Sequence, residues 1–350
     1  MPNTDYDDLP DNFKDFMAQH KEEVYKKIIE NLPALEPKEY AELVRVYIDR
    51  KGQYRRPSYV LLGSLLYGGN IEDAMLPAAT QQITEDYFLI HDDIMDENEL
   101  RRGAKAAHVL YGVDMAILAG DAVHAASWHM AIKAASKLGG ERGKRYLDKF
   151  TDIMLMTHQG QYFDLTLGGR SKSITDFTLE EYYQSIHAKS AYYSVYGPLQ
   201  CGAIVANQPD SVLEEIKEYG VPAGNAFQIK DDILDCSSTE EALGKSIGTD
   251  VRAGTKTLIL WHTVQNASES TLKKLQEIYS KPPKQKSAAE IKWVLDTFKE
   301  LGSIEYAEKT AKALLSESLE KFTKATASIP DSKVKRLAID ALGHSLFRQK

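Results

Sequence analysis

Residues 88–96 read F-L-I-H-D-D-I-M-D, and residues 227–235 read F-Q-I-K-D-D-I-L-D. Six of nine positions agree, and all three aspartates are among them. On a helix, Asp92 and Asp96 share one face with Cβ atoms about 5–6 Å apart, and Asp231 and Asp235 repeat the spacing. Like charges so placed destabilise a helix and raise each other's pKa. Phe88, Leu89, Ile90 and Ile94 around the first cluster, and Phe227, Ile229 and Ile233 around the second, set both against a core. An unpaired carboxylate there costs several kcal/mol, and a cation is the simplest compensation. Oxygen-only ligands suit magnesium or calcium. Calcium usually takes a flexible loop with alternate ligands. Carboxylates on rigid helices leave positions open to water and phosphate, which suits magnesium with a phosphorylated substrate. One D-D-x-x-D reads most simply as a solvated acidic face; two copies in matching apolar frames do not.

Basic residues flank both clusters. Arg101 and Arg102 follow the first in R-R-G. Lys245, in G-K-S-I-G-T-D, and Lys256, in A-G-T-K-T, follow the second, and Lys189, in H-A-K-S, lies between them in the chain. Singly each is plain surface; together they read as a cradle for diphosphate oxygens. No Walker loop is present for nucleotide-driven phosphoryl transfer, and no G-x-S-x-G for a serine hydrolase. The nine histidines form no H-E-x-x-H, and His91 reads equally well as a satisfied helix residue. What remains is ionisation of a carbon–diphosphate bond, with metals and cations on the leaving group and apolar walls around the carbocation.

The elements that must position these groups are helical. Stretches 13–32, 38–49, 74–96, 114–138, 142–163, 179–206, 211–234 and 288–320 carry apolar residues at three- and four-residue spacing. Thr178 with Glu181, and Ser287 with Glu290, fit capping boxes. Breaks fall at Tyr67–Asn70, Leu138–Gly143, Leu167–Ser173, Gly244–Gly254 and Ser280–Lys286. None is a linker. The spacing predicts an acidic, disordered tail over 1–12 and a single all-α domain over 13–350, with roughly a dozen helices. The chain of 350 residues is 43% hydrophobic with net charge −8, which argues against a nucleic-acid partner. Cys201 and Cys236 form no C-x-x-C pair and read as buried free thiols. The N-terminus has no signal-peptide h-region and no apolar run spans a membrane, so a cytoplasmic protein is expected.

In order along the chain, K-G-Q-Y-R-R-P (51–57), D-D-I-M-D…R-R-G (92–103), A-I-L-A-G-D (116–121), H-A-K-S-A (187–191), F-Q-I-K-D-D-I-L-D (227–235) and G-K-S-I-G-T-D (244–250) resemble the trans-type isoprenyl diphosphate synthases. The archaeal-like farnesyl and geranylgeranyl enzymes are the most similar group. The resemblance implies an isoprenoid-synthase-type helical bundle with a central active-site cavity, usually homodimeric. It also implies Mg²⁺-dependent, head-to-tail condensation of an allylic diphosphate with isopentenyl diphosphate. By that resemblance, Asp92, Asp96 and Asp231 hold magnesium ions, about three in all, on the allylic diphosphate. Asp235 joins them or, with Asp93 and Asp232, supports them through outer contacts or water. Arg101, Lys189 and Lys245 grip the same diphosphate. Ser190, where the family usually has Thr, stabilises the allylic cation with Gln228 and the Lys189 carbonyl. Arg56 and Arg102 hold isopentenyl diphosphate.

Three positions depart from the family pattern. Gln53 replaces a lysine that binds isopentenyl diphosphate, Glu85 stands where His or Gln contacts the same group, and Thr255 takes the place of a lysine, with Lys256 following. The first two make the acceptor site poorer for an anion, unless Lys51 and the arginines compensate. A second reading is therefore an enzyme that ionises an allylic diphosphate but cyclises it or transfers it to another acceptor. A third is a non-catalytic subunit of a hetero-oligomeric synthase, although such subunits tend to lose the aspartates. Tyr87 and Phe88 lie roughly 6–7.5 Å along the helix from Asp92, where the family has the floor of the chain-elongation pocket. Two rings there predict a fifteen-carbon product, with twenty carbons as runner-up.

Overall fold

Thr178 and Ser287 both close complete capping boxes: each hydroxyl accepts from the backbone N–H three residues on, and Glu181 and Glu290 reach back to the cap. The structure, a computed structural model, describes residues 8–166, 173–237 and 247–344. Within 8–12, Leu9 is buried and Asn12 caps the first helix through a bond from the Asp15 N–H (2.9 Å).

The described residues pack into two units. Of the described residues, the first draws on 8–152, 194–216 and 325–341, the second on 153–166, 173–193, 217–237, 247–324 and 342–344. The first contains α1 (Phe13–Asn31), α2 (Lys38–Val44), α3 (Arg55–Leu66), α4 (Ile71–Met95), α5 (Ala107–Tyr111), α6 (Val113–Leu138) and the start of α7 (Gly140–Thr166). In α3 every residue except Arg56 is buried. The helix thus has no polar face for a periodic pattern to reveal, and the spacing argument passes over it. α4 begins at Asn70, whose side chain accepts from the Asp73 N–H (2.8 Å), and runs unbroken through Pro77 to the first aspartate cluster.

After α4 comes a minimal hairpin, β1 (Leu100–Arg101) and β2 (Ala104–Lys105), with Arg101 opposite Ala104. Its two turn residues, Arg102 and Gly103, both have positive φ (+53° and +76°). Two left-handed residues are what a tight hairpin needs to match strand twist. The R-R-G triplet thereby places two arginines just past the acidic turn.

In the second unit α8 (Leu179–Ile186) passes into a π-helix, His187–Tyr196, and then α9 (Gly197–Val205), which belongs to the first unit. α10 (Asp210–Ser237) carries the second aspartate cluster. The expected stretch 288–320 is two helices, Ala288–Glu300 and Ser303–Ala325, broken at Leu301–Gly302. The core of the second unit is built by Tyr182, Ile229, Ile233, Leu260, Val294 and Phe298 among others, so the apolar frame around Asp231–Asp235 is part of that core.

Candidate active site

The last turn of α4 gathers three carboxylates and no basic residue. A helix C-terminus disfavours negative charge, so compensation has to come from elsewhere. Asp93 is fully buried and takes it. It accepts from the Tyr47 hydroxyl (2.6 Å), from Arg101 Nε (3.0 Å to each oxygen) and Nη2, and from Asn98 Nδ2 (3.2 Å). Burial opposes the charge on Arg101, but Asp93 and Asp92 outweigh it and raise the guanidinium's pKa. Arg101 Nη2 also lies 3.8 Å from Asp92. Asp92 and Asp96 are partly exposed. Arg101, expected on a phosphate, thus also ties down the acidic turn.

Beside it in the first unit lies an arginine–carboxylate cluster. Arg56 Nη1 is 3.1 Å from Glu85, and Arg56 Nη2 donates to Ser194 Oγ (2.8 Å). Arg102 Nη1 is 2.7 Å from Asp86 and donates to the Tyr47 carbonyl (2.7 Å), while its Nη2 lies 3.8 Å from Glu85. Gln53 Oε1 accepts from Arg55 Nη2 (3.0 Å). A Cβ on Gly52 would fall 2.7 Å from Arg102 Nη2, so a side chain there would push the guanidinium from this position. Lys51 does not compensate at this cluster: its ammonium is held by Glu22 (2.6 Å) over the Tyr25 ring. The two neighbouring carboxylates shift in opposite directions. Burial would raise the pKa of Glu85, but Arg56, Arg102 and Arg55 together lower it. Asp86 is pushed up to about 6, chiefly by burial and also by Glu85, against Arg102.

Tyr87 is buried on α4, with its ring centroid 4.7 Å from Phe88, 5.1 Å from His91 and 4.6 Å from His124 of α6, on which it stacks. Trp128 Nε1 donates to His124 Nε2 (2.9 Å), so the histidine behind the tyrosine is itself held.

In the second unit Asp232 is buried and accepts from the Tyr182 hydroxyl (3.1 Å) and from Gln228 Nε2 (2.9 Å). Burial raises its pKa against those bonds. Gln228 Oε1 in turn accepts from Ser190 Oγ (2.5 Å), so the amide is fixed at both ends. Asp231 is partly exposed. Asp235 is buried, and its oxygens accept from Thr249 Oγ1 and the Asp250 N–H (3.0 Å). It therefore anchors the first turn of helix Thr249–Ala253, where N–H groups are in want of acceptors. Lys189 Nζ is 2.7 Å from Asp164 of α7, a partner that nothing in the local sequence singles out. Lys256 is buried, and Lys245 lies outside the described residues.

Lys189 and Ser190 both sit on the π-helix, a geometry that recurs at functional sites. A Cβ at Gly160 would fall 2.3 Å from the Lys189 nitrogen, and one at Gly224 2.4 Å from Ala191 Cβ. Two glycines thus let α7 and α10 close on this backbone.

Among the described residues, no three His, Cys, Asp or Glu side chains gather to hold a metal alone. Each acidic turn offers oxygen donors only, which fits a hard divalent ion that completes its shell with water and substrate phosphate. No described helix is long and apolar enough to cross a membrane.

A chain whose described residues are almost entirely helical, with two D-D-x-x-D turns that each bury the middle aspartate and leave the first partly exposed, is that of a prenyltransferase acting on diphosphates. The chain belongs to the polyprenyl synthetase family, whose model matches residues 37–298. It is 33% identical over 297 residues to the short chain isoprenyl diphosphate synthase of Methanothermobacter thermautotrophicus, covering 85% of this chain and 88% of that one. It is 28% identical over 347 residues to the geranylfarnesyl diphosphate synthase of Natronomonas pharaonis, covering 94% and 96%. Among solved structures, the geranylgeranyl pyrophosphate synthetase of Pyrococcus horikoshii matches with a TM-score of 0.81 at 30% identity, over 96% of this chain and 99% of that one.

Proposed function

We propose that the chain condenses an allylic diphosphate with isopentenyl diphosphate head to tail, releasing diphosphate and giving a product of fifteen or twenty carbons. The observation that carries this is the shared sorting of the two acidic turns. Asp93 and Asp232 are buried and each accepts from a tyrosine hydroxyl, whereas Asp92 and Asp231 are partly exposed. Asp92, Asp96 and Asp231 would hold magnesium, which draws electrons from the leaving diphosphate. Asp235 serves through the helix it anchors. Lys189 and Arg101, with Lys245 and Lys256, place positive charge on the same leaving group. The Ser190–Gln228–Asp232 chain fixes a carbonyl-type oxygen beside Lys189, where it stabilises a developing allylic cation. Arg56 and Arg102 take isopentenyl diphosphate.

The enzyme acts as a homodimer. Supporting this, Leu110, Tyr111, Val113, Ile117 and Leu118 form an exposed apolar row along α5 and α6, each 44–50% accessible.

Purified protein given Mg²⁺, labelled isopentenyl diphosphate and geranyl diphosphate should yield an elongated prenyl diphosphate. Cyclic hydrocarbon alone, or inertness until another protein is added, would overturn this reading.

A further inference from the structure

Glu85 replaces a residue type that would leave the neighbouring arginines to the substrate, and its contacts show the consequence. Arg56 Nη1 lies 3.1 Å and Arg102 Nη2 3.8 Å from the same Glu85 oxygen. Neither arginine is placed by Glu85 alone. Arg56 is also held by Ser194 Oγ, and Arg102 by Asp86 and the Tyr47 carbonyl. Arg102 Nη2 is buried and has no acceptor within hydrogen-bonding distance, so a donor remains directed at this spot. Asp86 is almost fully buried and fixed, whereas the Glu85 side chain keeps 15% of its surface. Arg55, Arg56 and Arg102 all act on Glu85, and together they hold its carboxyl below the ordinary carboxylate range.

We propose that Glu85 is a tethered competitor for the acceptor's diphosphate: its carboxylate occupies the Arg56–Arg102 pair, and isopentenyl diphosphate binds by displacing it. The inference rests on the reading that this arginine pair receives isopentenyl diphosphate. A carboxylate attached to the site competes at high effective concentration and lowers apparent affinity by the fraction of time it occupies the pair. It also gives the half-buried Arg56 a counter-charge when no substrate is bound, while Arg102 has Asp86. Glu85 thereby sets the acceptor's KM without touching the reacting carbons, and Gln53, bound to Arg55, adds no charge to offset it.

The test titrates full-length protein with isopentenyl diphosphate by calorimetry in EDTA, so that metal-bridged binding at the aspartates is suppressed. Glu85→Gln should tighten binding by about tenfold and lower the KM for isopentenyl diphosphate to match, leaving the allylic KM unchanged. Arg56→Gln should weaken both readings by at least about tenfold. Unchanged or weaker binding by Glu85→Gln, with Arg56→Gln still impaired, overturns the competitor role and leaves the acceptor site standing. An Arg56→Gln protein that binds like wild type overturns the acceptor site itself. Should Glu85→Gln fail to fold by circular dichroism, Glu85→His carries the same expectation.

Discussion

The Tyr47 hydroxyl donates to Asp93 at 2.6 Å while accepting from the Ala107 N–H at 3.1 Å. One phenol thus joins the acidic turn of α4 to the start of α5, with Arg101 closing the carboxylate from the other side. Burial, then Asp93, raises the phenol's pKa beyond its ordinary range, so it stays a donor at any physiological pH. Tyr47→Phe removes a hydrogen bond to a buried charge and orphans an N–H. It should cost about 2–3 kcal/mol, seen as a lower urea midpoint with unchanged slope. An unaltered midpoint would mean that Arg101 and Asn98 satisfy Asp93 without it.

The aspartates divide by task, and single substitutions should show it. Asp92→Ala and Asp231→Ala should lower kcat by about two to three orders of magnitude while leaving thermal stability near wild type. Asp235→Ala removes the acceptor of Thr249 Oγ1 and the Asp250 N–H, so it should lower the melting temperature by several degrees, in line with about 1–2 kcal/mol. Scanning calorimetry beside steady-state kinetics separates the two classes. Equal stability of all three variants would contradict the anchoring role of Asp235.

The acidic turns were legible because their charges interrupt apolar frames at helical spacing, a conflict that local sequence displays. The capping boxes at Thr178 and Ser287 were legible for the same local reason. α3 was not, because a helix buried all round shows no stripe. The π-helix was hidden inside the continuous stretch 179–206, whose apolar spacing does not mark the change of helical type, and the glycines that pack against it, Gly160 and Gly224, are remote in sequence. Tyr47, Asp164 and Tyr182 could not be named as partners of Asp93, Lys189 and Asp232 for that reason too: each pairing joins residues 25 to 50 positions apart.

Tyr87 and Phe88 stand in ring contact on α4, and His124, pinned by Trp128, backs the tyrosine. Replacing both rings with Ala should open space for at least one further isoprene unit. Reverse-phase chromatography of dephosphorylated products would reveal the lengthening. The double variant should also lose about 3–5 kcal/mol of stability from the cavity left at Tyr87. His124→Ala should give a milder shift to longer product by loosening the Tyr87 ring. A product distribution identical to wild type in the double variant would remove these rings from length control.

Asp86 gives stability a pH slope of definite sign. Its pKa is about 6 in the folded chain, raised chiefly by burial, against about 3.9 unfolded. Between those values the folded state binds the extra proton, so this group favours folding at low pH and loses that effect as pH rises through about 6. Glu85 acts oppositely: the arginines overcome burial and lower its pKa, so its contribution is present above the ordinary carboxylate range and is lost on acidification. Urea unfolding of wild type and Asp86→Asn from pH 4 to pH 7 isolates the first effect. The stability of wild type relative to the variant should decline across pH 4–6 and level off above. A flat difference would mean that Arg102 keeps Asp86 ionised throughout.

The exposed row on α5 and α6 bears on assembly. Several exposed apolar side chains on neighbouring elements are costly in water, and covering them with the same face of a second chain satisfies both copies at once. Ile117 and Leu118 are 44% and 46% accessible, with Val113 one turn earlier at 50%. Ile117→Lys combined with Leu118→Lys buries nothing new within the chain, so the fold should survive while like charges meet across the interface. Sedimentation equilibrium should then find a dimer for wild type and a monomer for the double variant. Far-ultraviolet circular dichroism should be unchanged. A wild-type protein that sediments as a monomer at micromolar concentration would leave this row to some other partner.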